Sequence, residues 1–192
     1  MLESRLGAER PRRRWPTVLA AALVVFAVVG WRLDVLAQQR EFAAVLQCVR
    51  IGQDAVTYAT HRVAAMAGYV SPVLDSAPPG PLRADMFHLL ATAAAAALPP
   101  AREAGQGCRD VRVGYGLGPY LHPDLQRART SYLAYLDRYA AYLGAASIDG
   151  SLVSSPPAEL DDLRRQAWVA LTAAAPDSAG RAETRRLLQP GQ

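Results

Sequence analysis

Residues 15–31 read WPTVLAAALVVFAVVGW, seventeen consecutive positions without a charged side chain. At a rise of about 1.5 Å per residue this run makes a helix of roughly 25 Å, the short end of a membrane crossing. Trp15 and Trp31 bracket it, where an amphipathic ring suits the headgroup layer. Arg5, Arg10, Arg12, Arg13 and Arg14 precede it. The positive-inside rule then places the N-terminus in the cytoplasm and everything after Trp31 outside. The expected division is a basic tail over 1–14, a single-pass signal anchor in the cell membrane over 15–31, and an extracytoplasmic domain beyond. Ala93–Ala97 is an alanine patch too short to return through a bilayer.

A cleaved signal peptide is the competing reading, because Val35-Leu36-Ala37 offers small residues for cleavage after Ala37. Arg32 and Asp34 interrupt that region, and the helical pattern runs through it, which favours the anchor. Val45-Leu46-Gln47-Cys48 is a poor lipoprotein signal, with glutamine where a small residue is needed. The RPRRRW segment reads as an orientation signal, with anionic lipid as its other partner. Fourteen residues of tail are too few for a cytoplasmic output domain, so a simple transmembrane sensor is not expected.

A second period begins where the first segment ends. Phe42, Val45, Val49, Gly52, Val56, Ala59, Val63, Met66, Val70 and Val73 alternate spacings of three and four, a heptad pattern. It predicts one helix from about 16 to about 75, with a seam of valines and small residues. Gly52 and Ala59 allow a neighbouring helix to approach closely. Leu46, Ala67 and Leu74 on one side, with Cys48, Ala55 and Tyr69 on the other, widen the stripe. That width favours packing within the chain; a homodimer through the 42–73 face is the alternative.

The rest reads as further helices. SAPPGP at 76–81 is a turn, with Gly80 and Pro81 as cap and first position of a helix over about 81–98. Its apolar face is Leu82, Met86, Leu89, Leu90, Ala93 and Ala97, and Pro99-Pro100 is expected to stop it. Residues 101–120 read as irregular, including GYGLGPY at 114–120, with Val111, Val113, Tyr115 and Leu117 alternating as in a short strand. Helices over about 124–147, with Asp124 near its cap, and about 156–175 follow, the second opened by Ser154-Ser155-Pro156-Pro157 and closed by Pro176. A short helix over about 179–189 opens the C-terminal segment, 177–192. The fold class is all-α: a transmembrane helix continuing into a bundle of about four helices over 32–176.

Cys48 and Cys108 are the only cysteines. Outside the cytoplasm an even pair points to a disulfide. Closing a loop of that length is worth about 4 kcal/mol on a chain-entropy estimate.

Composition removes several chemistries. All 21 basic residues are arginine, so Walker-A, Schiff-base and kinase-type lysines are excluded. The absence of lysine fits a GC-rich, bacterial coding bias. From residue 15 onward 16 arginines oppose 15 acids, so the basic excess lies in the tail and no nucleic-acid surface is expected. There is no H-E-x-x-H, G-x-S-x-G, C-x-x-C or calcium-loop pattern. Gly114, Gly116 and Gly118 precede a proline rather than a phosphate-binding helix start. His61 and His88 sit near Asp54 and Asp85 at spacings that occur often by chance, and read as solvated or hydrogen-bonded side chains rather than ligands of a metal or haem in the bundle; His122 precedes Pro123 at a helix start and reads as turn chemistry. No catalytic residue, metal ligand or cofactor is expected.

Tyr132, Tyr135, Tyr139 and Tyr142 fall within an 80° sector of one helix, roughly, with Leu133, Leu136, Ala140 and Leu143 in the next. The leucines are expected to face the bundle centre and the tyrosines its margin, rings buried and hydroxyls reaching water or backbone. That stripe is also the candidate contact for a partner. The expected function is a non-enzymatic accessory or interaction subunit of a membrane or cell-envelope assembly. A bundle carrying a small apolar or lipid ligand is the alternative, with an envelope enzyme third.

Overall fold

A computed structural model describes residues 15–113 and 122–189. Among these the chain is all-helical. Helix α1 spans Trp15–Ser76, α2 Pro81–Asp110, α3 Pro123–Ala146, α4 Glu159–Ala174 and α5 Ser178–Leu188, with a 3-10 turn at Gly150–Ser154 between α3 and α4. Arg12, Arg13, Arg14 and the glycine-rich 114–120 segment lie outside the described residues. The chain divides into two compact units between Ala37 and Gln38, with α2 to α5 in the second.

In the first unit α1 buries nothing over its apolar run. Leu19, Leu23, Phe26 and Val29 are exposed, as are Trp15 and Trp31. It is the one helix among the described residues long and apolar enough to cross a membrane.

In the second unit the heptad seam of α1 is the spine of the core. Val45, Val49, Ala59 and Val70 are fully buried, and Phe42, Val56 and Val63 nearly so. Met66 and Val73 are half-buried, and Tyr69, expected at the seam's flank, stands exposed. Tyr132 and Tyr139 of the chain's own α3 pack on the middle of that seam, and Gly180 of α5 on Phe42.

Hydrogen-bond register fixes the direction of that pairing. Tyr132 reaches Val49 and Tyr139 reaches Val56, both across 83 residues, so α1 and α3 run parallel. Helix α4 is antiparallel to α3, since Arg138 pairs with Glu159 while Tyr135 lies beside Arg164. Helix α5 lies against α1, with Gly180 on the Phe42 ring and Glu183 on Arg50. Cys48 and Cys108 form a disulfide, Cα–Cα 5.1 Å, tying the end of α2 to α1.

The expected stop at Pro99-Pro100 is corrected. Helix α2 runs twelve residues beyond Leu98 to Asp110, and Cys108 is helical rather than part of an irregular loop. Proline removes an N–H and crowds the carbonyl four residues back. Here those carbonyls belong to Ala95 and Ala96, which face solvent, so water can replace the lost donors. The buried face meanwhile continues in register through the break, as Ala97, Ala101, Ala104 and Cys108. Of the strand expected near 111–117, residues 111–113 have no regular structure and the rest lies outside the described residues. Leu82, expected on the buried face of α2, is exposed.

Local sequence sets the ends. Pro81 and Pro123 each occupy a first helical turn, where a missing N–H costs nothing. Helix α4 opens with Glu159, Asp161 and Asp162, complementing its positive end. Asp177 caps α5 by accepting the Gly180 N–H at 2.7 Å. Gly150 lies so close to the Phe87 carbonyl and the Ala91 backbone nitrogen that any side chain there would overlap them.

Candidate functional site

The four tyrosines of α3 form a ladder, with successive ring centroids 6.0, 6.3 and 6.2 Å apart. Tyr132, Tyr135 and Tyr139 are buried and Tyr142 half-buried. The rings are buried and their hydroxyls reach backbone, as expected, but Tyr132 goes deeper than a margin: it is as buried as Leu136 and Leu143, while Leu133 and Ala140, placed on the central face, are only partly covered. The reason is the small residues opposite. The hydroxyl end of Tyr132 abuts Gly52, with Cε1 and Cζ each 3.0 Å from where a β-carbon would stand. Its hydroxyl donates to the Val49 carbonyl at 3.1 Å and accepts from Gln53 Nε2 at 3.3 Å. A helical carbonyl has a second lone pair free for this bond.

One heptad on, Tyr139 repeats the arrangement with Val56, Thr60 and Ala59. Its hydroxyl stands 3.5 Å from the Val56 carbonyl and 3.0 Å from Thr60 Oγ1. Where alanine takes the place of glycine, the hydroxyl stands further back. Tyr142 donates to the Val153 carbonyl at 3.1 Å, fastening α3 to the 3-10 turn.

Burial raises the pKa of all four phenols, because the phenolate would lose its hydration. Tyr135 is pushed up to about 12, and Tyr132 further. The hydroxyls of Tyr132, Tyr139 and Tyr142 serve as neutral hydrogen-bonding groups.

Beside the ladder lies a cleft of about 370 Å³ between α1, α3, the 3-10 turn and the start of α4. Its walls are Val56, Val63, Ala64, Ala67, Leu143, Val153, Pro156, Pro157 and Leu160, with Tyr135, Tyr139 and Tyr142 along one side. Thr60, Asp161 and Arg164 supply the polar positions. Arg164 Nη2 donates to Asp161 Oδ1 at 3.0 Å, a surface pair with the carboxylate largely in water. Sequence periodicity found the tyrosines but missed Thr60, Asp161 and Arg164, since the cleft draws on four separate elements. A larger, more open hollow of about 640 Å³ lies between α2 and α3, bridged by the Arg109–Asp137 ion pair and floored by Ala101, Gly105, Ala140 and Gly144.

The histidines do not converge. His61 and His88 are exposed and His122 is half-buried. Among the described residues no three His, Cys, Asp or Glu side chains stand close enough to hold a metal ion. The Arg129 guanidinium donates to the carbonyls of Cys108 and Arg109, holding the end of α2 on α3. Glu183 accepts from Arg186 and Arg50, which hold its pKa at about 2.

A different set of apolar side chains faces solvent. Ile51, Tyr58, Ala65 and Tyr69 of α1 are exposed and share one helical face within about 40°. Arg62, on the same face, donates to the Tyr58 hydroxyl at 3.3 Å. This stripe leaves two aromatic side chains, Tyr58 and Tyr69, open to solvent. No family model, curated protein or solved structure matches the chain.

Proposed function

We propose that this chain is a single-pass, membrane-anchored extracytoplasmic protein that serves as a non-enzymatic accessory or interaction subunit of a membrane or cell-envelope assembly. The observation that carries the reading is the exposed Ile51, Tyr58 and Tyr69 stripe on the helix that also holds the apolar run. Aromatic side chains contribute disproportionately to protein contacts, and here they stand unburied at helical spacing. The arginines before Trp15 support a cytoplasmic N-terminus. Photo-crosslinking residues placed at 58 and 69 should yield adducts with the same envelope protein in intact cells, and a probe at exposed Ala173 should not. Equal adducts from all three positions, or none, end the reading. N-terminal sequencing of membrane-fraction protein tests the anchor, which fails if the mature chain starts at Gln38.

A second reading, a bundle that holds a small apolar or lipid ligand, is favoured by the cleft between α1, α3 and α4. Its volume of about 370 Å³ sits at the small end of ligand sites, and its lining is apolar with a few polar groups.

A further inference from the structure

Two concavities share residues along α4. The apolar cleft ends at Asp161 and Arg164, and the same two side chains begin a second hollow of about 500 Å³ that continues over Arg165 and Trp168. The groove is thus divided by chemistry, with hydrocarbon walls at the α3 end and guanidinium groups at the other.

Two of the tyrosine hydroxyls along the apolar half are already engaged: Tyr142 donates to the Val153 carbonyl, and Tyr139 stands against Thr60 and the Val56 carbonyl. Apart from the Tyr135 hydroxyl, what this half offers a ligand is chiefly hydrocarbon contact. Free donors are concentrated at the junction. A guanidinium carries five N–H groups, and Arg164 spends one on Asp161. Arg165 is likewise paired with Asp162, three residues upstream and open to water. Exposed pairs of this kind are weak and readily shared with a second anion.

Resting on the second reading above, we infer that the cleft binds a single-chain amphiphilic carboxylate of the fatty-acid type, its chain along Val63, Ala67 and Leu143 and its carboxylate on Arg164. The size agrees: at about 30 Å³ per methylene, taking a water's share of liquid volume as the measure, a cleft of about 370 Å³ takes a chain of roughly twelve carbons. The cation selects the headgroup, since a carboxylate accepts from the guanidinium with an opposite charge, an alcohol accepts without one, and an ammonium is repelled.

The test uses the full chain in phosphatidylcholine nanodiscs, photolabelled with a diazirine-bearing dodecanoic acid and mapped by mass spectrometry. Label is expected on peptides covering 60–67, 139–143 and 153–164, above whatever the 15–31 segment collects. Dodecanoate should compete about tenfold better than dodecanol, the size of one partly exposed charge-assisted bond, and dodecyltrimethylammonium should not compete. Arg164→Gln should remove that preference without removing label. Ala64→Leu, at an exposed position on the cleft wall, should reduce label from any chain while leaving the melting temperature unchanged. If dodecanol competes as well as dodecanoate, the carboxylate assignment is wrong and the apolar-ligand reading stands. If label stays on 15–31 alone, or Ala64→Leu leaves cleft labelling intact, both fall. A diazirine-bearing phosphatidylglycerol that labels the cleft when the free acid does not also overturns the assignment.

Discussion

Between Trp15 and Trp31 helix α1 is apolar on every side and leaves Leu23, Phe26 and Val29 exposed; between Phe42 and Val73 it is apolar along a seam and buries it. Both stretches are rich in valine and alanine, so composition does not separate them. Arrangement does. An all-round apolar helix has no preferred neighbour and suits a hydrocarbon solvent, whereas a seam specifies which face must be covered. The seam also specifies a register, because Gly52 and Ala59 leave recesses one heptad apart that accept Tyr132 and Tyr139.

The largest effect should come from emptying a recess. Tyr132→Ala removes a fully buried ring and is expected to cost about 3–5 kcal/mol in chemical denaturation. Membrane fractionation, which depends on the other stretch, should not change. Gly52→Val should act in the same direction by expelling the ring.

High pH attacks the same contacts without mutation. The phenols of Tyr132 and Tyr135 have pKa values raised above the unfolded value of 10. Their contribution is therefore complete below pH 10 and lost as pH rises through the folded values. Two such groups give a slope of roughly 3 kcal/mol per pH unit. The tyrosinate absorbance that a Tyr132→Phe, Tyr135→Phe variant lacks should rise together with loss of helicity, and Tyr132→Phe alone should halve the slope. If that difference signal rises at pH 10 with helicity intact, these two rings are open to water.

The converse experiment breaks the first stretch alone. Val24→Arg is expected to cost about 3 kcal/mol in bilayer insertion on the proposed reading, because an arginine is placed near the middle of the run. The melting temperature of the bundle should stay where it was, and a large drop would mean that the two stretches are not independent.

How much of this was legible follows from where each contact lies. The seam of α1 and the ends of α3, α4 and α5 could be read because periodicity and capping are local. The burial of the tyrosine rings was legible, but not which backbone their hydroxyls reach, because the carbonyls used by Tyr132 and Tyr139 belong to a helix 83 residues away. A clue existed: Tyr132 and Tyr139 share the seven-residue spacing of Gly52 and Ala59. The extension of α2 was hidden by a rule about proline that its own buried face overrode. Arg164 and Asp161 gave no signal at all, since a single helix does not reveal which hollow it borders.

The smallest expected effect is at the edge of the packed stretch. Glu183, between Arg186 and Arg50, has a pKa lowered to about 2. Its contribution is present above the ordinary carboxylate range and is lost as pH falls toward 2. Because the pair is partly open to solvent, Glu183→Gln should cost under about 1 kcal/mol at pH 7, and the variant should match the wild type in melts at the acid end.

The Cys48–Cys108 bond also changes how the molecule carries mechanical load. Tension applied between the N-terminal side of α1 and the C-terminal helices passes from residue 48 directly to residue 108. The 59 residues between them, including most of the valine seam and all but the last three residues of α2, are then bypassed as long as the bond is intact. A domain tethered at one end and held by a partner at the other would stretch only over its outer segments, whereas the reduced protein would lengthen through the whole α1–α2 loop.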